Sequence, residues 1–160
     1  MNILFKGEPF TSIHPVTSGK APDFSLPNQK GETVTLSELT KPVLISVFPD
    51  INTATCSVQT KHFNVEAAKH TSIEFLSLSS NTVEEQKNWC AAEGVGMTIL
   101  SDEHLDFGKK YGLVLEGTPR FNRLARAVYV IKDGEIVYSQ IVEELASEPN
   151  YEAALKAALN

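Results

Sequence analysis

Residues 43–56 read V-L-I-S-V-F-P-D-I-N-T-A-T-C, and this stretch decides the fold of the chain. Its first six residues are apolar except for Ser46 and rich in β-branched side chains, and Pro49 closes the run. Such a run is typical of a strand buried on both faces. The loop after it ends at Cys56, where helix-forming residues begin. We therefore predict a buried strand that turns into a helix, with Cys56 near the helix N-terminus.

The predicted position of Cys56 has a chemical consequence. A helix N-terminus carries partial positive charge, which favours the thiolate, the nucleophilic form of a cysteine. An isolated cysteine is, however, most often a small buried apolar residue, so both interpretations stay open here. Thr53 also has two interpretations: a hydroxyl that caps the helix, or one that orients the thiolate and binds a substrate oxygen.

Bulk composition narrows the classes of function. A chain of 160 residues that is 42% apolar can bury a core of its own, which predicts one domain over residues 1–160. The net charge of −6 argues against a surface that binds nucleic acid. We see neither a signal peptide nor an apolar run long enough for a membrane span, and we expect a cytoplasmic protein. Two cysteines are too few for a disulfide scaffold, so they are catalytic, redox-active or simply buried.

Strands and helices alternate along the rest of the chain. An N-terminal hairpin is predicted from strands 3–6 and 10–14, with Gly7-Glu8-Pro9 as its turn. Residues 22–27 read as a loop, residues 33–36 as a strand end and residues 37–39 as a helical turn. Further strands are predicted at 73–79, 97–101, 127–131 and 136–142, and helices at 55–70, 82–92, 104–111 and 149–160. This order predicts an α/β sandwich with a central mixed sheet flanked by helices and an N-terminal β-hairpin.

Three local signals support these elements. Thr82 and Glu85 fit a capping box at the start of the second helix. Asp133-Gly134 fits a type I′ turn between the last two strands. Pro149 is placed just inside the start of the last helix.

Arg126 directly precedes the apolar strand predicted at 127–131. A surface arginine usually pairs with a carboxylate, but one at the mouth of a buried strand must find a partner because an unpaired buried charge is costly. Beside a thiolate it would stabilise the negative charge.

A Cys–His hydrolase would need His62 or His70 beside Cys56. Since His62 is six residues along the helix, we do not favour that class.

Pro49, Thr53 and Cys56 together give P-x-x-x-T-x-x-C, which resembles the peroxidatic-cysteine motif of the peroxiredoxins. Cys90 follows 34 residues after Cys56 in the sequence W-C-A-A-E-G. With A-P-D-F at 21–24, L-A-R-A-V at 124–128 and E-P-N-Y-E-A-A-L at 148–155, nearly the whole chain resembles the bacterial thiol peroxidases. These are atypical two-cysteine peroxiredoxins, whose resolving cysteine lies in the same chain.

The resemblance implies a thioredoxin-like, three-layer fold and a set of roles. Cys56 would be the peroxidatic cysteine and Cys90 the resolving cysteine, with Thr53 and Arg126 as polar partners and Pro49 in the substrate loop. The implied reaction reduces hydrogen peroxide and organic hydroperoxides through a Cys56 sulfenic acid and an intramolecular Cys56–Cys90 disulfide. Thioredoxin would be the reductant, the protein a homodimer, and no haem, flavin or metal would be needed.

The chain departs from the family pattern at two places. Asp50 and Asn52 stand where serine and aspartate are expected, so we expect different hydrogen bonding in this loop. Residues 115–123 are also peculiar to this chain, which leaves the preferred hydroperoxide undetermined by the sequence.

Two other classes of function also depend on redox-active cysteines. A thioredoxin-like protein-disulfide oxidoreductase would carry C-x-x-C, but Thr53 and Gln59 occupy the positions three residues from Cys56. It would also carry a proline directly before the hairpin strand, where Arg126 stands, and Thr118-Pro119 comes too early. A redox-sensing adaptor would use the same disulfide as the peroxidase, so the sequence leaves that role open.

Overall fold

A six-stranded mixed sheet forms the centre of the protein in the computed structural model, which describes residues 1–116 and 123–160. In chain order the strands are β1 (Asn2–Phe5), β2 (Glu8–Ser12), β3 (Gly19–Lys20), β4 (Ser25–Pro27), β5 (Thr33–Thr35), β6 (Val43–Val47), β7 (Glu74–Ser79), β8 (Thr98–Ser101), β9 (Val114–Leu115), β10 (Arg123–Leu124), β11 (Ala127–Lys132) and β12 (Glu135–Ile141). The helices are α1 (Ala54–Lys69), α2 (Val83–Glu93), α3 (Asp106–Tyr111) and α4 (Tyr151–Leu159), with a short 3-10 turn at Leu36–Glu38.

The central sheet has the strand order β3-β12-β11-β6-β7-β8. Strands β6, β7 and β8 are parallel, whereas β11 is antiparallel to both β6 and β12. All five residues of β6 are buried, which confirms the prediction that this strand is covered on both faces. The mixed sheet predicted from the element order is therefore present.

Two apolar clusters lie on opposite faces of the sheet, because successive strand residues point in opposite directions. Along β6, Val43, Ile45 and Val47 belong to the first cluster and Leu44 to the second. Helices α1, α2 and α4 contribute to the second cluster, and α3 and the N-terminal hairpin contribute to the first. The result is a three-layer sandwich, as the resemblance implied. None of the helices in the described part of the chain is long and apolar enough to cross a membrane.

Several local signals are confirmed. The capping box of α2 is complete, because Glu85 N donates to Thr82 Oγ1 and Thr82 N donates to the Glu85 carboxylate, both at 3.1 Å. Asp133 and Gly134 have φ values of 51° and 77°, as a type I′ turn requires. The predicted boundaries of the helices that became α1, α2 and α3 lie within two residues of the observed ones.

Two predicted boundaries were wrong. The N-terminal hairpin turns at Lys6-Gly7, where φ is positive at both residues, and Pro9 lies inside β2 rather than in the turn. In the described part of the chain, β2 pairs with β1 alone, and an edge strand tolerates a proline. At the other end of the chain, Asn150 caps α4 by accepting from Ala153 N at 3.0 Å, so Pro149 lies outside the helix.

Short strands account for most of what the sequence did not predict. Residues 25–27, assigned to a loop, form β4 and pair with β5. Strands β3, β9 and β10 have two residues each, too few to show a periodic pattern. The peculiar stretch 115–123 lies largely outside the described residues, and the dipeptide Thr118-Pro119 lies entirely outside them.

Candidate active site

Cys56 lies in the first turn of α1, as predicted, two residues after the first helical residue Ala54. Its side chain is fully buried and its thiol is free. The buried strand β6 and the loop after it fix the start of the helix at the C-terminal edge of the parallel strands. The thiol therefore lies near the partial positive charge of a helix N-terminus.

Arg126 is the charged group in contact with this thiol. It directly precedes β11 and is 2% exposed. Its Nη1 donates to Cys56 Sγ at 3.3 Å and to Gln59 Oε1 at 2.8 Å, and its Nη2 donates to the carbonyl of Leu145 at 2.7 Å. Hydrogen bonds from a charged donor such as this guanidinium are stronger than those from a neutral donor.

Gln59 is a site residue that the sequence reasoning did not assign. It is fully buried, and its Nε2 donates to Ser46 Oγ at 2.7 Å and to the Val47 carbonyl at 3.3 Å. Its Oε1 is therefore turned toward Arg126, whose guanidinium it orients. The signal was available, since a polar residue three positions after Cys56 on a helix shares the face of that cysteine.

Thr53 occupies the N-cap position of α1, but its side chain does not cap the helix. Its Oγ1 donates to the Asp50 carbonyl at 2.9 Å. In the described part of the structure, no hydrogen bond joins the side chains of Thr53 and Cys56. Because the one hydroxyl proton is used, the oxygen presents its lone pairs as an acceptor. Such an oxygen can receive a hydrogen bond from a hydroperoxide O–H.

A cavity of about 220 Å³ brings Pro49, Thr53 and Arg126 together. Its remaining described lining is mostly apolar and consists of Phe5, Lys6, Ala54, Thr55, Leu115, Arg123, Leu145 and Ala146. Lys6, Arg123 and Arg126 are its charged members, and none of the described lining residues is acidic. The cavity offers apolar walls for an organic group beside the polar end of the site.

A polar network holds the loop between Pro49 and Cys56. It includes Asp50 and Asn52, the two positions that depart from the family pattern. Asp50 accepts from Asn52 N at 3.1 Å and from Asn81 Nδ2 at 3.0 Å, and Arg123 lies 3.5 Å from its second oxygen. Burial raises the pKa of Asp50, but these hydrogen bonds and the charge of Arg123 together bring it below its ordinary value. Asp50 is thus an ionised anchor of the loop at neutral pH.

Cys90 lies near the end of α2 and is 8% exposed. Burial raises the pKa of its thiol. Cys90 belongs to the same apolar cluster as Cys56, yet both thiols are free and no disulfide joins them. A buried thiol of raised pKa is a poor direct nucleophile toward peroxide.

His62 has a different environment from that of a catalytic base. Its ring stacks on Tyr151 with centroids 3.7 Å apart, and it is exposed at the surface of α1. The described residues also contain no group of three or more His, Cys, Asp or Glu side chains that could hold a metal ion.

Comparisons with known proteins agree with this geometry. The Redoxin family matches residues 17–155. A thiol peroxidase of Listeria monocytogenes serotype 4b (strain F2365) is 41% identical over 162 residues, covering 98% of this chain and 96% of its own. A thiol peroxidase of Staphylococcus aureus (strain Mu50) is 40% identical over 167 residues, covering 99% and 98% of the two chains.

Solved structures extend the agreement to the whole fold. A peroxiredoxin-like protein from Aquifex aeolicus superimposes with a TM-score of 0.87 at 27% identity, covering 98% of this chain and 95% of its own. A thiol peroxidase from Chromobacterium violaceum shares the fold with a TM-score of 0.86 at 15% identity, over 98% of this chain and 94% of its own. The chain therefore belongs to the redoxin family and, within it, to the thiol peroxidases among the peroxiredoxins.

Proposed function

We propose that this chain is a peroxidase that reduces hydrogen peroxide and organic hydroperoxides with Cys56 as the peroxidatic cysteine. The observation that carries the proposal is the contact of 3.3 Å between Arg126 Nη1 and Cys56 Sγ at the first turn of α1. The apolar walls of the adjoining cavity suit the alkyl group of an organic hydroperoxide.

The first step is attack of the Cys56 thiolate on the hydroxyl-bearing oxygen of R–O–O–H. The S–O bond forms as the O–O bond breaks, so the sulfur is oxidised to a sulfenic acid and the leaving oxygen departs as an alcohol or water after taking a proton. Arg126 stabilises first the thiolate and then the developing charge on the oxygens. Thr53 Oγ1 accepts a hydrogen bond from the peroxide O–H and thereby orients it.

The second step is condensation of the Cys90 thiol with the sulfenic acid, which forms the Cys56–Cys90 disulfide and releases water. An external dithiol then reduces this disulfide by exchange, and we propose thioredoxin as that dithiol. The raised pKa of Cys90 supports the assignment of Cys56 as the attacking cysteine and Cys90 as the resolving one, because Cys90 is then protected from direct reaction with peroxide.

We further propose one domain over residues 1–160, a cytoplasmic location and a homodimer. Light scattering would detect the homodimer at about twice the chain mass of 17.5 kDa.

The test is NADPH consumption through thioredoxin reductase and thioredoxin, with and without a hydroperoxide. We expect consumption only when the hydroperoxide, the thioredoxin system and the wild-type chain are all present. A Cys90→Ser chain should consume one equivalent of peroxide and then stop, because its sulfenic acid has no resolving partner. Reduction of a protein disulfide without peroxide would instead favour the protein-disulfide oxidoreductase.

A further inference from the structure

The N-terminal hairpin is attached to residues 143–146, which lie within the segment that links β12 to α4. Leu4 N donates to the Glu143 carbonyl at 2.7 Å, and Leu145 N donates to the Leu4 carbonyl at 2.9 Å. Strand β1 therefore runs alongside this segment as a short parallel bridge. The reaction proposed above assigns no chemical step to the hairpin, although Phe5 and Lys6 line the cavity.

The Glu144 carboxylate also joins the hairpin to this segment, because it accepts three backbone hydrogen bonds. Gly7 N donates to it at 2.6 Å, Lys6 N at 3.1 Å and Ala146 N at 3.0 Å. Lys6 and Gly7 form the hairpin turn, where positive φ values of 52° and 81° direct both amides toward the carboxylate. Hydrogen bonds from Ala146, Gly7 and Lys6 lower the pKa of Glu144, so the carboxylate is ionised at neutral pH.

The same segment holds Arg126 from the other side. The Leu145 carbonyl accepts from Arg126 Nη2 at 2.7 Å and lies between Glu144 and Ala146, the two residues that the carboxylate ties together. Within the described residues, Arg126 Nε has no hydrogen-bond partner. The orientation of the guanidinium therefore depends on Gln59 and on the peptide of Leu145.

We infer that Glu144 is a positioning residue of the peroxidase site, which couples the N-terminal hairpin to Arg126 through the Leu145 carbonyl. By fixing the peptide of Leu145, Glu144 holds Arg126 Nη1 against Cys56. By closing the Lys6-Gly7 turn, it also holds Phe5 and Lys6 in the wall of the cavity. This inference rests on the proposed function of Cys56.

The experiment compares Glu144→Gln with Glu143→Gln, a matched control. Glu143 is the exposed neighbour, and its substitution removes the same charge while leaving its backbone carbonyl in place. In a Cys90→Ser background, we measure the alkylation rate of Cys56 by iodoacetamide at pH 7 and its rate with a hydroperoxide. We expect Glu144→Gln to slow both rates about five- to tenfold, with an unchanged unfolding midpoint, because an amide NH2 cannot accept and at least one of the three hydrogen bonds is lost. Glu143→Gln should match the parent.

A double-mutant cycle tests whether Glu144 acts through Arg126. In an Arg126→Met background, Glu144→Gln should have no further effect on alkylation. Equal alkylation rates for the two glutamine variants, or a full effect of Glu144→Gln without Arg126, would overturn the inference. If Glu144→Gln does not fold, Glu144→Asp keeps the charge but is too short to reach all three amides, and it carries the same expectation.

The two proposals can fail separately. A wild-type chain that is alkylated rapidly but does not react with hydroperoxide would refute the proposed function. The comparison of alkylation rates would still decide the role of Glu144.

Discussion

Arg126 is a buried cation, and the partners that the structure gives it among the described residues include no carboxylate. Two of these partners are the neutral oxygens of Gln59 and Leu145, and the third is the Cys56 sulfur. A buried charge without a partner is costly, and these three contacts stabilise the guanidinium of Arg126. Under the proposed function, the third contact places the cation of Arg126 beside the attacking sulfur.

Replacing Cys56 with serine tests the nucleophile. We expect Cys56→Ser to fold but to lose peroxide turnover, since serine has nearly the same size and is a far weaker nucleophile at pH 7. The coupled NADPH assay measures the loss, and the thermal unfolding midpoint checks the fold. Residual turnover within about tenfold of the wild type would exclude Cys56 as the attacking group.

Replacing Arg126 with methionine tests the cation. Methionine keeps much of the side-chain length but removes the charge and leaves two buried acceptors, Gln59 Oε1 and the Leu145 carbonyl, without their donor. We expect the peroxide rate to fall about 100-fold, the usual cost of removing a donor that stabilises developing charge. Alkylation of Cys56 by iodoacetamide across pH should slow in parallel, while alkylation of Cys90 should hardly change. Lys30→Met, at an exposed position, is the control.

At the scale of elements, a polar network connects the loop before Cys56 to the helix that carries Cys90. Asn81 is fully buried, donates to both Asp50 and Glu85, and accepts from Ile51 N at 2.9 Å. The Glu85 carboxylate also accepts from Asn52 Nδ2 at 3.5 Å. The start of α2 and the loop before α1 are therefore held in one arrangement when both thiols are free.

Disulfide formation should disturb this arrangement. A disulfide requires Cα atoms within about 7 Å and correctly directed Cβ atoms. In the dithiol form, a Cys90 that close to Cys56 would cover the thiol and obstruct the approach of peroxide. We therefore predict that oxidation unwinds both helices locally. Two glycines lower the free-energy cost of unwinding α2 near Cys90. They are Gly94, which ends α2 with a φ of 67°, and Gly96 beyond it.

Hydrogen exchange tests this motion by comparing the dithiol with the disulfide. Residues 54–60 and 85–96 should lose protection on oxidation, while β6 and β11 should be unchanged. A Cys90→Ser chain treated with peroxide is the control and should show no such loss. Equal protection in the two redox states would mean that the sulfurs are already placed for bonding, and the unwinding hypothesis would be abandoned.

At the scale of the whole molecule, the two apolar clusters share one sheet, so we expect the chain to unfold as one unit. Leu76 lies in β7 and is fully buried. Leu76→Ala should lower the free energy of unfolding by about 2–5 kcal/mol, because it removes buried apolar atoms and leaves a cavity. Val137→Ala, at a side chain that is 50% exposed, should change it by less than about 0.5 kcal/mol.

Urea denaturation followed by the fluorescence of Trp89 and by circular dichroism measures both variants. The two signals should report a single coincident transition in each chain. Two separate transitions would contradict the proposal of one domain.

The sequence predicted the elements whose signals are local. The buried strand, the capping box at Thr82 and the Asp133-Gly134 turn each depend on neighbouring residues, and the structure contains all three. The motif around Cys56 and the position of Arg126 before a buried strand likewise pointed to the two groups that are in contact. Where the pattern was short or ambiguous, as in β4 or around Pro9, tertiary pairing decided the outcome.

Only the tertiary structure could decide the contacts between residues far apart in the chain. Cys56 and Arg126 are 70 residues apart, and Lys6 and Glu144 are 138 apart, so no periodicity or spacing relates them. The amide of Gln59 has a defined orientation only because Ser46, Val47 and Arg126 surround it. The amino-acid sequence by itself determined which groups could do the chemistry. Folding determined which of them touch, because a buried charge and a buried hydrogen-bonding group must find partners that the chain brings together only when it packs.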